Sequence, residues 1–161
     1  MKKELVENFG GTLRIRVNGI LTNDQGVLMV RHQGLTSAGY FWAPPGGGMT
    51  FGQSAHDCLK REFLEETGTE ITVDDLLFVN EFYQNPFHAI ELFFRVWKVG
   101  GSLKTGYDPE LKQDQQIIND VRFFTQKDIQ EERGPQLHAI FHELSLPSQL
   151  LNLKGYFQNW K

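Results

Sequence analysis

Cysteine is nearly absent from this chain: Cys58 stands alone, so no internal disulfide can form and nothing points to an oxidising compartment. Long apolar runs are missing too, with no stretch approaching the roughly 18 to 20 residues that cross a bilayer. The opening Met1-Lys2-Lys3-Glu4-Leu5 lacks the apolar run of a secretory signal, so a cytoplasmic protein with no membrane partner is the expectation. Excess positive charge is absent as well. Sixteen Lys and Arg face 20 Asp and Glu, a net charge of −4, which argues against a nucleic-acid polymer as partner because such proteins carry a basic face. There is no internal repeat, low-complexity segment or linker to a second domain. What remains is 161 residues, 40% of them hydrophobic, enough for one sizeable core and read as a single domain over 1–161.

Leu13-Arg14-Ile15-Arg16-Val17 alternates apolar and polar with period two and continues through Gly19-Ile20-Leu21, the pattern of a long strand. Asn23-Asp24-Gln25-Gly26 is a turn, and Val27 to Val30 is its partner strand, ending at Arg31-His32. Gln33 to Tyr40 reads as a polar loop. Pro44-Pro45-Gly46-Gly47-Gly48 is expected to be irregular, because proline lacks a donor and successive glycines are conformationally costly. A costly backbone there suggests a loop shaped for something. Ser54 is a good N-cap with Asp57 three residues on, and Gly68 is a stop signal, which bounds a helix. Leu76 to Phe82, Ala89 to Val99 and Val121 to Phe124 read as strands, Gly100 to Gln116 as a long polar loop, and Thr125 to Glu132 and Gln136 to Leu144 as helices.

On the helix that follows Ser54, the residues Ala55, Cys58, Leu59 and Phe63 trace an apolar stripe and identify Cys58 as a core residue. Glu62, Glu65 and Glu66 lie mostly off that stripe. Residues three and four apart are neighbours on a helix, so Glu62 faces both other glutamates, and each like-charge contact costs roughly 0.2 to 0.5 kcal/mol unless something neutralises it. A divalent cation would remove that cost, and carboxylate oxygens are the ligands that Mg²⁺ prefers. The ordinary alternative is a solvated charged face, with Lys60 and Arg61 offsetting the acids.

Taken with the glycines before it, the run Gly47 to Thr69 resembles the signature of the Nudix hydrolases: Gly, five residues, Glu, seven residues, Arg-Glu, an aliphatic residue, any residue, Glu-Glu, any residue, Gly, aliphatic. Gly47, Arg61-Glu62, Glu65-Glu66 and Gly68 fall on their places, and Phe63 supplies an apolar residue. Two positions depart: Gln53 stands where the first Glu belongs, and Thr69 stands at the last aliphatic position, with Ile71 two residues on. The resemblance implies an α/β/α sandwich on a mixed β-sheet. It also implies hydrolysis of a pyrophosphate bond in a nucleoside diphosphate linked to another moiety, assisted by Mg²⁺ or Mn²⁺.

By the same resemblance, Glu62, Glu65 and Glu66 would bind metal, with the carbonyl of Gly46 as a further ligand, and Arg61 would orient the glutamates. The general base stays open between Glu65 and Asp114, with Glu91, Glu110 and Asp120 behind them, each of the last four also readable as a plain surface acid. Arg31 at the end of a strand could meet a substrate phosphate, and Tyr40, Phe41, Trp42, Tyr83 and Phe87 could stack on a base or belong to the core. None of the five histidines shows metal-ligand spacing; His138 and His142 fit a solvated helix. The expected partner is a small phosphorylated nucleotide substrate, with a homodimer open. Gln53 keeps the shape of glutamate and loses its charge, so the alternative is a catalytically weakened Nudix-fold module that binds nucleotides or regulates.

Overall fold

The computed structural model describes residues 3–34, 36–107, 116–142, 144 and 146–160. After a short helix α1 (Lys3–Phe9) comes strand β1 (Leu13–Ile20), then the hairpin of β2 (Thr22–Asn23) and β3 (Gly26–Gln33). Strands β4 (Tyr40–Ala43) and β5 (Gly46–Gly48) lead into helix α2 (Ala55–Thr67). The long strands β6 (Thr69–Gln84) and β7 (Phe87–Gly101) follow, then β8 (Ile118–Phe124), helix α3 (Gln126–Glu131) and strand β9 (Gly155–Trp160).

These strands form two mixed or antiparallel sheets. One runs β5-β1-β7-β6-β9, with β1 parallel to β7 and β6 parallel to β9; the other has β3 at its centre, flanked by β4 and β8, with β2 at its end. Alternation along β1 sends Val17 to one face and Ile20 to the other. Val17 packs with Cys58, Leu59 and Phe63 of α2, whereas Ile20 packs with Trp42, Phe93, Phe124, Ile129 of α3 and Phe141. Helix α2 therefore covers one side and the C-terminal segments the other, the mixed α/β arrangement expected. Phe63 is fully buried, and its ring lies so close to Gly19 that a Cβ there would come within 2.4 Å. That contact seats α2 directly against β1.

Several elements differ from the sequence reading. Gly46-Gly47-Gly48 is a strand, paired antiparallel to β1 at Asn18, Val17 and Arg16. Its place at the sheet edge asks for ladder bonds on one side only, and Pro45, which has no N–H to place, contributes its carbonyl as acceptor for Gly19 N–H at 2.9 Å. Strand β6 begins at Thr69 rather than Leu76, since bulges between Val73 and Phe78 interrupt the period around Asp74 and Asp75. Strand β7 extends to Gly101, into the segment expected to be loop. The helix expected over Gln136 to Leu144 is a single 3₁₀ turn, Ala139–Phe141. Trp42 exchanges backbone bonds with Gln136 and His138, which draws that segment out beside β4 before it can coil. The sequence reading also missed α1, β2, β4, β9 and a 3₁₀ turn at Pro147–Asn152.

Candidate active site

Helix α2 is fixed at both ends. Ser54 Oγ accepts from Asp57 N–H at 3.1 Å and donates to Asp57 Oδ2 at 2.7 Å; Gly68 ends the helix at φ 67°, its N–H returning to Leu64 O. With Cys58, Leu59 and Phe63 anchored in the core, the helix presents Glu62, Glu65 and Glu66 along strand β5 and the end of β3. Cys58 is buried, with its Sγ 3.4 Å from Gly48 O, and burial pushes the thiol up out of the range of a ready nucleophile.

The three carboxylates have unequal surroundings. Glu66 is buried; its Oε2 accepts from Gly46 N–H at 2.9 Å, and its Oε1 lies 3.3 Å from His32 Nε2. Arg61 serves both others, donating from Nη2 to Glu62 Oε1 and from Nη1 to Glu65 Oε2, each at 2.7 Å. A Cβ on Gly47 would stand 2.2 to 2.6 Å from the carboxyl of Glu62, so only glycine lets this acid lie against β5. Burial first, and then the charge of Glu66, push Glu62 up to about 7 in spite of Arg61. Burial works against the charge of Arg61, yet Glu62 and Glu65 hold it more firmly protonated.

Behind the acid turn, the chain leaving β7 crosses the end of α2. The N–H groups of Lys104, Gly106 and Tyr107 donate to the carbonyls of Thr67, Glu66 and Glu65, at 3.0, 2.9 and 3.1 Å. These are the terminal carbonyls that an α-helix leaves without internal partners. A Cβ on Gly106 would fall 1.8 Å from Glu65 O, so the crossing requires glycine. Asp114 and Glu110, which follow in the chain, lie outside the described residues.

The remaining candidates are scattered. Arg31 precedes His32 on β3 and so points to the opposite face, where its guanidinium lies 4.2 Å from the centre of the Tyr40 ring; Tyr40 in turn donates to Glu132 at 2.8 Å. Asp120 on β8 pairs with Arg31 in register. Trp42 is core, 4.6 Å from the Phe124 ring. Phe41 is half-buried, 5.9 Å from the ring of His138, and Tyr83 and Phe87 pair with their neighbours on the β6–β7 ladder. Gln53 accepts from Thr50 Oγ1 at 3.1 Å, in the turn that enters α2. Glu91 is no surface acid: it is buried and accepts from Asn80 Nδ2 at 2.7 Å and His138 Nε2 at 3.1 Å. His138 is likewise buried, not part of a solvated helix. His32 was missed altogether, although the alternation of β3 places it, with Leu28 and Val30, on the face that meets α2.

An acid-bearing helix thus lies against a glycine strand where the two sheets meet. The NUDIX domain profile matches residues 12–144, and the chain belongs to the Nudix hydrolase family. It is similar to an ADP-ribose pyrophosphatase of Methanocaldococcus jannaschii, 33% identical over 99 residues, 58% of this chain and 56% of that protein. The chain thus spans about half the length of that relative. In structure it resembles an ADP-ribose pyrophosphatase of Streptococcus suis, with TM-score 0.59 and 16% identity over 90% of this chain and 99% of the other. It also resembles a MutT protein of Methanosarcina mazei, with TM-score 0.63 and 20% identity over 81% and 88%. At such identities the two structures speak for the fold.

Nudix hydrolases generally work with divalent metal ions. Among the described residues, no three His, Cys, Asp or Glu side chains are gathered closely enough to hold one. The donor chemistry nevertheless fits a hard cation. Glu62 and Glu65 share one guanidinium, Glu66 has a histidine and a backbone N–H, and the burial of Glu62 beside Glu66 leaves the turn short of positive charge.

Proposed function

We propose that this chain is a Mg²⁺-dependent hydrolase, with Mn²⁺ as a substitute, that cleaves the pyrophosphate bond of a nucleoside diphosphate linked to another moiety. The observation that carries the reading is the uncompensated acid turn: Glu62 pushed up to about 7 beside Glu66, packed where Gly47 leaves room for it. Glu62, Glu65 and Glu66 would hold the cation, with the carbonyl of Gly46 beside them. A divalent ion held there would supply charge neutralisation for the phosphate oxygens and a lowered pKa for the attacking water. Arg61 orients Glu62 and Glu65. The proton of the water goes to Glu65 on the helix or to Asp114. Arg31, on the far face of β3 and stacked on Tyr40, meets the substrate away from the metal rather than at it. ADP-ribose is the first substrate to try, because the sequence relative acts on it by name.

The test is phosphate release, coupled to a phosphatase, over a panel of ADP-ribose, nucleotide sugars, nucleoside triphosphates and dinucleoside polyphosphates, with Mg²⁺ and with chelator. Metal-dependent turnover of a nucleoside diphosphate derivative supports the reading. Tight nucleotide binding without turnover anywhere on the panel would replace it with the weakened binding module.

A further inference from the structure

The face of β3 turned toward α2 is apolar at Leu28 and Val30, and the next residue on that face is His32, only 9% exposed. An imidazole in such a place is costly unless its nitrogens are bonded. One of them is: Nε2 lies 3.3 Å from Glu66 Oε1. Nδ1 is buried with no hydrogen-bond partner among the described residues. A carboxylate accepts only, so the ring donates through Nε2 and leaves Nδ1 bare. One nitrogen is thus given to Glu66 at the expense of the other, an arrangement that serves the carboxylate better than it serves the core.

The other oxygen of Glu66 accepts from Gly46 N–H at 2.9 Å. Glu66 is therefore held at both oxygens, by donors from two different strands in two different sheets. Glu62 and Glu65 instead share the arm of Arg61, whose side chain is 32% exposed. Fixing a carboxylate by two converging donors sets the plane of its lone pairs, which a side chain with free rotation about its last bond does not do.

We infer that His32 is a positioning residue that fixes the carboxylate plane of Glu66 for the cation, an inference that rests on Glu66 being a metal ligand. Outer partners of metal ligands change affinity by about 10- to 100-fold when removed. The probe is Mn²⁺ alone, titrated into the metal-free protein and followed by the electron paramagnetic resonance signal of the free ion. His32→Leu keeps the volume and removes the donor; His32→Gln places an amide N–H near the position of Nε2; His32→Asn is polar and too short to reach. The Leu and Asn variants should bind Mn²⁺ about tenfold or more weakly, while the Gln variant stays within about threefold of the parent. Turnover should follow through kcat, with the nucleotide KM little changed.

Equal Mn²⁺ affinity in parent and Leu variant would overturn the inference, as would Gln and Asn variants that bind equally. If the Leu variant does not fold, the Gln and Asn pair decides alone. Glu66→Gln is measured alongside. If it binds Mn²⁺ like the parent, the metal site itself is wrong; if it fails to bind while the Leu variant binds normally, only the role of His32 falls.

Discussion

Two buried acid clusters in this molecule are solved in opposite ways. At Glu91 one carboxylate meets Asn80, His138 and, at 4.0 Å, Arg16. Burial alone would push Glu91 up, but His138, Arg16 and Asn80 outweigh it and hold the acid below the ordinary carboxylate range. At the acid turn of α2, three carboxylates divide one arginine, one histidine and one backbone N–H, and Glu62 is pushed up to about 7. A balanced cluster ties together β6, β7 and the segment after Pro135. An unbalanced one leaves Glu62 without enough compensating charge, so that it takes up a proton near neutral pH, and such perturbed groups gather at functional sites.

The sharpest way to break this contrast is to remove acids from the unbalanced cluster. Glu66→Gln and Glu62→Gln should each lower Mg²⁺-dependent turnover by more than about a hundredfold, beyond what losing an outer partner costs. Thermal unfolding of metal-free Glu62→Gln should occur at the parent temperature or above it, because a like-charge conflict has gone. Turnover within about threefold of the parent in both variants would mean that the ion binds elsewhere. Whether the same cluster also supplies the base is decided by Asp114 and Asp120. Asp114→Asn should slow kcat more than Asp120→Asn, on the scale of about 10²- to 10⁴-fold typical of general-base removal, since Asp120 sits in a β8 ladder position opposite Arg31. Normal kcat in both leaves Glu65 as the base.

Backbone support at the acid turn is the next largest effect. Gly106→Ala would put a methyl group 1.8 Å from Glu65 O, so the crossing strap must move off the end of α2 and uncover the carbonyls it serves. Overpacking of this kind costs about 1 to 3 kcal/mol, to be read as a lowered midpoint in urea with turnover reduced in parallel. An unchanged midpoint would show that the strap is not seated there.

Glu91 should behave as the reverse case. Its lowered folded value means that its ionisation stabilises the fold above the ordinary carboxylate value of 4.5, and that this contribution is lost as pH falls through the folded value. Glu91→Gln should therefore be less stable than the parent by about 1 to 3 kcal/mol near neutral pH, with the gap narrowing on acidification. A gap that is constant from pH 7 to pH 3 would contradict the balanced reading.

Much of the acid turn could be read in the sequence because it is local: Ser54 and Gly68 bound the helix, and 3.6-residue periodicity separates Cys58, Leu59 and Phe63 from the glutamates. The same locality made the β1 and β3 strands and the turn before Val27 legible, but not that β3 pairs with β2 while β1 pairs with β5 and β7. What could not be read depends on partners distant in the chain. Gly46–Gly48 becomes a strand only because β1 offers an edge to it, and 136–138 is extended only because Trp42 takes its backbone bonds. Glu91 resembled a surface acid for the same reason, since Asn80 and His138 come to it from 11 and 47 residues away. His32 was within reach of period-two alternation, but nothing local announces that the residue facing it is Glu66.

The smallest expected effect concerns Gln53, the one signature acid that is missing. Its side-chain oxygen accepts from Thr50 Oγ1 at 3.1 Å and its N–H donates to Thr50 O at 3.1 Å, so the residue closes the turn that delivers Ser54 to the helix cap. A glutamate can make both bonds, because only an acceptor oxygen and the backbone N–H are used. Gln53→Glu should then fold with the parent's stability and change kcat and the Mg²⁺ requirement by less than about threefold, on the scale of the 0.2 to 0.5 kcal/mol that exposed helix charges exert. The added charge would sit at the helix entry, a full turn or more before Glu62, so it joins neither cluster. An increase in kcat of about a hundredfold, near 2.7 kcal/mol in the barrier, would place position 53 inside the unbalanced site after all. It would make the natural chain an impaired catalyst, and the contrast between the two clusters would then have to include a charge lost at the active one.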